Sequence, residues 1–207
     1  MPDTREHDER AAKRELRGRL SAARSAIGPA EQAATALALA EHLLCRDELG
    51  GARTVACYVS IGSEPGTGPL LDRLREAGTR VLLPVLLGDN DLDWAEHDGA
   101  LTRGRHGLWE PEGHRLGAHA IASVDVVVVP ALAVDRRGRR LGRGGGSYDR
   151  ALARISPLAW TVTPLYRGEV LDRVPAEPHD LRVHAAVTPD GTHRFIGAAI
   201  DPECDTP

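Results

Sequence analysis

The residues with the most evident chemistry are the run RLGRGGGSYD, from Arg140 to Asp149. Gly142, Gly144, Gly145 and Gly146 precede a predicted helix, and glycine lets a backbone take positive φ and approach a ligand closely. Consecutive amides in such a turn, with the free N–H groups of a helix start, make a nest for an anion. A bare glycine triplet is also a common mobile surface turn, so the neighbouring charges decide. Arg136, Arg137, Arg139, Arg140 and Arg143 gather positive charge there in a chain whose net charge is −4. Asp149 falls in the first turn of the predicted helix, where a carboxylate either holds Mg2+ against phosphate oxygens or simply complements the helix dipole. The pattern points to phosphate binding by an enzyme that uses a nucleotide.

Two familiar phosphate loops do not fit. No Lys-Ser or Lys-Thr pair closes the run, so it is not a P-loop. A dinucleotide-binding loop follows its strand at once, whereas these glycines come well after the apolar run that ends at Pro130. RNA recognition lacks support, because the chain is acidic and only 3% aromatic. Lys13 is the sole lysine among 26 Lys and Arg residues. An ammonium meets a phosphate oxygen as a compact point charge that a guanidinium does not replace, which singles Lys13 out.

The elements that position these residues follow from spacing. Leu16, Leu20, Ala23 and Ile27 form a thin stripe on a helix predicted over Asp8–Ile27, stopped by Gly28-Pro29. A second helix over Ala30–Cys45 carries Ala33, Leu37, Ala40 and Leu44 on one face, and shorter helices are predicted over Gly68–Ala77 and Tyr148–Ile155. Strands are predicted at Thr54–Ser60, Arg80–Pro84, Leu92–Glu96, Ala159–Leu165, Ala185–Thr188 and His193–Ile196. Val124–Val129 is almost wholly β-branched without polar alternation, as in a strand buried on both faces of a parallel sheet. Gly99–Gly117 reads as a polar, glycine-rich stretch, the segment after Pro130 as a long loop, and Asp201–Pro207 as a fraying tail.

Alternating strands and helices predict an α/β fold, an open, mostly parallel sheet with helices on both faces, in a single domain whose core spans about 8–198. Ligands in such sheets sit beyond the carboxyl ends of the strands, where the glycine loop falls. Cys45, Cys57 and Cys204 are odd in number and widely spaced, which fits a reducing cytoplasm better than a disulfide framework. The charged N-terminus is not read as a secretory leader, and Val124–Val134 is too short to cross a bilayer. A cytoplasmic protein without membrane or nucleic-acid partners is expected.

Together the motifs carry a resemblance. KRELR at 13–17, YVSIGSEPGT at 58–67, LP at 83–84, GLWEP at 107–111, DVVVVPALAVDRRGRRLGRGGGSYDR at 125–150 and PHDLRV at 178–183 occur in the order seen in the 5-formyltetrahydrofolate cyclo-ligases, also called 5,10-methenyltetrahydrofolate synthetases. From about Lys13 to Thr188 the chain resembles that family. The resemblance implies a three-layer fold of the NagB/RpiA/CoA-transferase-like type. It implies ATP- and Mg2+-dependent closure of 5-formyltetrahydrofolate to 5,10-methenyltetrahydrofolate, by a monomer. It also implies that the formyl oxygen is phosphorylated before N10 attacks, since an amide oxygen leaves poorly until then.

Residue by residue, the resemblance implies that Lys13 and Arg17 contact ATP phosphates from one face of the first helix. Arg140, Leu141, Gly142, Arg143, Gly144, Gly145, Gly146, Ser147 and Tyr148 would wrap the triphosphate. Arg143 to Ser147 would also approach the formyl group, with Arg143 and Lys13 acting catalytically. Glu64 and Val59 would meet the folate, and Asp149 and Asp180 would bind magnesium. Trp109 is a candidate stacking wall, and His179 receives no role. Relatives commonly carry two tyrosines before the loop's last aspartate, where Ser147 stands first here, and an acidic residue in place of His184. The alternatives are a paralogue acting on another formylated or carboxylated substrate, and a non-catalytic folate or nucleotide binder.

Overall fold

The computed structural model describes residues 4–177 and 180–195 of the 207-residue chain. His179, Ile196 and the tail from Asp201 lie outside those residues. Helices α1 (Thr4–Ser25) and α2 (Pro29–Leu44) lead the chain, parted at Gly28-Pro29, where proline suits a first helical turn because no N–H is needed there. A short α3 (Asp47–Gly50) follows, then β1 (Thr54–Ala56), α4 (Gly68–Glu76), β2 (Arg80–Leu86) and β3 (Leu92–Glu96). Next come β4 (Leu101–Arg103), β5 (Trp109–Pro111), β6 (Val126–Val128), β7 (Ala133–Asp135) and β8 (Arg140–Leu141). Helix α5 (Ser147–Leu152) leads into β9 (Trp160–Pro164), β10 (Val170–Leu171), β11 (Ala185–Thr188) and β12 (Gly191–Arg194).

The central sheet has seven strands in the order β12-β11-β9-β6-β1-β2-β3. Its inner pairings are all parallel, and only the edge strands β3 and β12 run antiparallel. Both faces are covered, as the β-branched run implied. Val126 and Val128 face one core cluster with Leu39 and Leu43 of α2 and Leu70 and Leu74 of α4. Val127 and Val129 face the opposite cluster, with Ala151 and Leu152 of α5 and Trp94 of β3. All four valines are buried, each contributing roughly 1.5–3 kcal/mol relative to exposure.

Three expectations change. The long loop after Pro130 holds two strands, β7 and β8, which join β10 in a second, three-stranded sheet. These strands are too short for periodicity to show. Asp135 Oδ1 closes the turn between them by accepting the N–H groups of Arg137 and Arg139. The polar stretch 99–117 contains the β4–β5 hairpin. The last strand starts and ends two residues earlier than expected, set by its tight hairpin from β11.

Two helix faces also move. On α1 the buried stripe is Lys13, Leu16, Leu20 and Arg24, with Ala23 exposed, because the helix lies on the small sheet against Leu132, Leu141 and Val174. On α2 the buried face is Thr35, Ala36, Leu39, Ala40 and Leu43, leaving Ala33 exposed and Leu37 56% exposed. That helix is alanine- and leucine-rich nearly all round, so composition alone did not fix its rotation. Among the described residues no helix is long and apolar enough to cross a membrane.

Candidate active site

From β1 the chain steps to β2 on one side, and later returns through β6 on the other. The strand order therefore reverses between β1 and β6, and a crevice opens beyond their carboxyl ends, where open α/β sheets bind ligands. Tyr58 and Val59 extend β1 into this crevice, and Pro130 and Ala131 extend β6. Together with Pro84, Leu86, Leu92, Leu108 and Trp109 they line a pocket of about 250 Å³ that is mostly apolar. The β4–β5 hairpin contributes Trp109, whose ring lies 3.8 Å from the Arg103 guanidinium.

The glycine loop crosses the mouth of this pocket. Gly144 has φ +102° and Gly146 φ +73°, conformations that L side chains rarely adopt, and a Cβ on Gly144 would meet the Arg17 guanidinium at 3.4 Å. Behind the loop lies a second, polar pocket of about 100 Å³, lined by Lys13, Arg17, Arg140, Gly142, Gly144, Gly146, Asp149, Glu177 and Asp180. Helix α1 supplies its basic side, because Lys13 and Arg17 continue the stripe that Leu16 and Leu20 dock. The loop is thus the common wall of a polar and an apolar chamber.

Charges in the site are paired. Lys13 Nζ lies 2.6 Å from Asp180 Oδ2 and 3.3 Å from Glu177 Oε2. Arg140 Nη2 lies 2.5 Å from Asp149 Oδ1, and Arg143 Nε lies 3.0 Å from Glu64 Oε1. Arg17 Nε donates to the Gly142 carbonyl at 2.8 Å, which ties α1 to the loop. Burial pulls the Arg140 guanidinium below its usual range, and Asp149 opposes that pull. For Glu177, burial pushes the carboxyl up, but the nearby Arg10 and Lys13 outweigh it and hold the group below the ordinary range. Burial raises Tyr148 well above the usual phenol range, and its hydroxyl has no hydrogen-bond partner among the described residues.

A family model described as the 5-formyltetrahydrofolate cyclo-ligase family matches residues 9–189. The chain belongs to the 5-formyltetrahydrofolate cyclo-ligase family. It is 47% identical over 143 residues to a 5-formyltetrahydrofolate cyclo-ligase of Mycolicibacterium smegmatis, covering 66% of this chain and 74% of that one. It is 31% identical over 175 residues to the Escherichia coli cyclo-ligase, covering 80% and 94%. The 5,10-methenyltetrahydrofolate synthetase structure from Aquifex aeolicus superposes with a TM-score of 0.78 at 27% identity, covering 94% of this chain and 99% of that one. One from Mycoplasma pneumoniae, with a TM-score of 0.67 at 19% identity over 84% and 96%, shares the fold. The chain is a ligase by this membership.

The expected site residues line the two chambers, with Arg140, Gly142, Gly144, Gly146 and Asp149 on the wall they share. Lys13, Arg17, Arg140, Leu141, Gly142, Gly144, Gly146, Asp149 and Asp180 line the polar one. Val59, Glu64, Arg143, Gly145, Ser147 and Tyr148 line the apolar one, so Arg143, Gly145, Ser147 and Tyr148 do not border the polar pocket expected to hold phosphate. Of the five clustered arginines only Arg140 and Arg143 reach a chamber. Arg136 pairs with Asp172 at the surface, and Arg137 is exposed in the turn after β7. His184 sits between β9 and β11, its Nδ1 accepting the Thr161 N–H at 3.0 Å, and lines neither chamber.

Sequence reasoning missed Glu177, and it missed the buried pair behind the site. Arg24 and Glu169 make two contacts, of 2.7 and 2.8 Å. Arg24 also donates to the Ala131 carbonyl, at the pocket wall. Glu169 accepts the Tyr166 N–H, and the Tyr166 hydroxyl donates to the Glu64 carbonyl at 3.3 Å. The available signal was Arg24's place at helical spacing from Leu20.

Proposed function

We propose that this chain uses ATP and Mg2+ to convert 5-formyltetrahydrofolate to 5,10-methenyltetrahydrofolate, releasing ADP and phosphate. The observation that carries this reading is the glycine loop as a shared wall between a basic, carboxylate-bearing chamber and an apolar one. A triphosphate suits the first, and a pterin suits the second. Their reacting ends, the γ-phosphate and the formyl oxygen, would then meet at Arg143 to Gly146. Holding two reactants in line is most of what phosphoryl transfer asks of a protein.

The chain's residues take roles by position. Lys13, Arg17 and Arg140 bind phosphate oxygens, and the loop amides complete the cradle. Arg143 moves from Glu64 toward the charge that develops between the phosphate and the formyl oxygen. Glu64 is then free to accept hydrogen bonds from the folate, while Val59, Trp109 and Tyr148 enclose its ring and exclude water. Asp149 and Asp180 are the two carboxylates that would hold magnesium, matching that ion's habit of taking one or two protein carboxylates and completing its shell with phosphates and water. Bound there, Mg2+ supplies neutralisation of phosphate charge. Phosphorylation turns the formyl oxygen into a leaving group, N10 attacks the iminium carbon, and phosphate departs. The acidic net charge and unpaired cysteine spacing support a cytoplasmic enzyme without nucleic-acid partners, and we take it to act as a monomer.

The test is to mix the purified protein with 5-formyltetrahydrofolate, Mg2+ and ATP and follow the near-ultraviolet absorbance of the methenyl product. An ATP-dependent rise is expected. No rise across a broad range of folate concentration refutes the reading.

A further inference from the structure

Resting on the function proposed above, we infer that Glu110 is a positioning residue for the folate, pinning the β4–β5 hairpin to the end of β2 so that Trp109 walls the apolar chamber. The hairpin forms a two-stranded sheet of its own, outside the seven-stranded one. It nevertheless delivers Leu108 and Trp109 to the chamber that Leu86 and Leu92 line from β2 and β3. Its place relative to those strands therefore sets the width of the chamber. Trp109 and Glu110 are neighbours on β5, so their side chains leave opposite faces. Trp109 stands opposite Arg103, whose guanidinium covers its ring. Glu110 is buried, and its Oε1 accepts the Leu86 N–H at 3.1 Å. That charge-assisted bond joins the hairpin to a residue of the chamber wall.

Gly104, between β4 and the turn, marks where the carboxylate must sit. Its φ of −94° is one that other residues adopt, so φ does not call for glycine there. A Cβ built on Gly104 would overlap the Glu110 carboxyl group. The missing side chain is room for that carboxylate. Arg115 Nη2 lies 4.0 Å from Glu110 Oε2 on a side chain 52% exposed, so ion pairing contributes little to the pin. Glu110 lines neither chamber, so it acts on the folate through Trp109 rather than by contact.

Steady-state kinetics with 5-formyltetrahydrofolate and ATP, joined to calorimetric titration of 5-formyltetrahydrofolate alone, read the pin. Glu110→Ala is expected to raise the folate KM and Kd about tenfold, with kcat and the ATP KM within about twofold of wild type. Glu110→Gln keeps an acceptor oxygen for the Leu86 N–H and should restore the folate KM to within about threefold. Gly104→Ala displaces the carboxylate without altering it, and should match Glu110→Ala. In the Glu110→Ala background, where its Cβ has room, Gly104→Ala should add less than about twofold. Trp109→Ala should itself raise the folate KM, and Glu110→Ala should add less than about twofold to it, because Trp109 is what the pin holds.

A merely structural carboxylate would lower the melting temperature alone or move both KM values together, and either result overturns the inference. A Glu110→Ala effect undiminished without Trp109 overturns it too, as does a Gly104→Ala penalty that persists beside Glu110→Ala. Glu110→Gln as damaging as Glu110→Ala would show that the charge, not the bond to Leu86, is what counts, and the pin falls. Should Glu110→Ala not fold, the ratio of the two KM values in Gly104→Ala decides. If wild type neither binds nor converts 5-formyltetrahydrofolate, the proposed function itself falls. Ordinary wild-type turnover with flat variants removes only the pin.

Discussion

Replacing Arg24 with methionine should destabilise this protein more than any single change in either chamber. The Arg24 side chain is 2% exposed and Glu169 7%, and the two meet in a bidentate contact that also satisfies the Ala131 carbonyl. The Arg24 guanidinium lies 5.5 Å from the Tyr166 ring centroid as well. Arg24→Met removes the cation and leaves Glu169 buried with, among the described residues, one remaining donor to its carboxylate, the Tyr166 N–H. An uncompensated buried charge of this kind costs about 3–5 kcal/mol. For a domain of this size 1 kcal/mol moves the melting temperature by about 2–4 °C, so a fall of roughly 6–20 °C is expected. Urea unfolding followed by circular dichroism should show a lower midpoint with an unchanged slope. The double variant Arg24→Met with Glu169→Leu should recover most of the loss, because no charge remains orphaned. A single-variant loss below about 1 kcal/mol, or a double variant no better than the single, would refute the reasoning.

Other predictions concern the site and its supports. Lys13→Ala should lower turnover about ten- to a hundredfold, the worth of a charge-assisted phosphate contact of roughly 1.5–3 kcal/mol; near-normal kcat/KM would show the lone lysine to be incidental. Asp91 makes contacts of 2.9 and 2.6 Å with Arg154, just beyond α5, and Arg154's hydrogen bonds hold its carboxyl below the ordinary 3.8. A depressed carboxylate stabilises fully above its unfolded value and loses that contribution as pH falls through the folded one. The deficit of Asp91→Asn should therefore be about 1–2 kcal/mol at pH 7 and fade below pH 3.8, as read by urea midpoints across pH. Tyr148→Phe deletes a buried hydroxyl that lacks a partner among the described residues. It should leave stability unchanged or raise it by up to about 1 kcal/mol, and a loss above 1 kcal/mol would reveal an unseen partner.

The sheet was legible because strands such as Val126–Val128 are buried on both faces and must be apolar throughout. The small second sheet was not, because β8 and β10 are two residues long and its turn is built from arginines that read as a charge cluster. The glycine loop and Lys13 stood out by type alone. Glu177 and Glu169 could not, since a carboxylate's part in a site depends on which cation the fold brings to it. The rotation of α2 shows the same limit, as an alanine-rich helix offers several faces of nearly equal apolarity.

The polar chamber is closed by two segments far apart in the chain, α1 and the stretch just before β11. Lys13 meets Asp180 across 167 positions of sequence, Arg10 meets Glu177 across the same span, and Arg173 reaches Glu9 across 164. During synthesis the central strands up to β9 leave the ribosome well before Asp180 does. The inner strands can therefore pair around their valines while Lys13 still lacks the segment that meets it, whereas Arg17 already has its Gly142 partner. Glu177 and Asp180 emerge just ahead of β11 and β12, so the acidic side of the chamber and that edge of the sheet are completed together. A chain cut between β9 and Glu177 would keep α1 and the glycine loop yet lack both carboxylates that Lys13 meets.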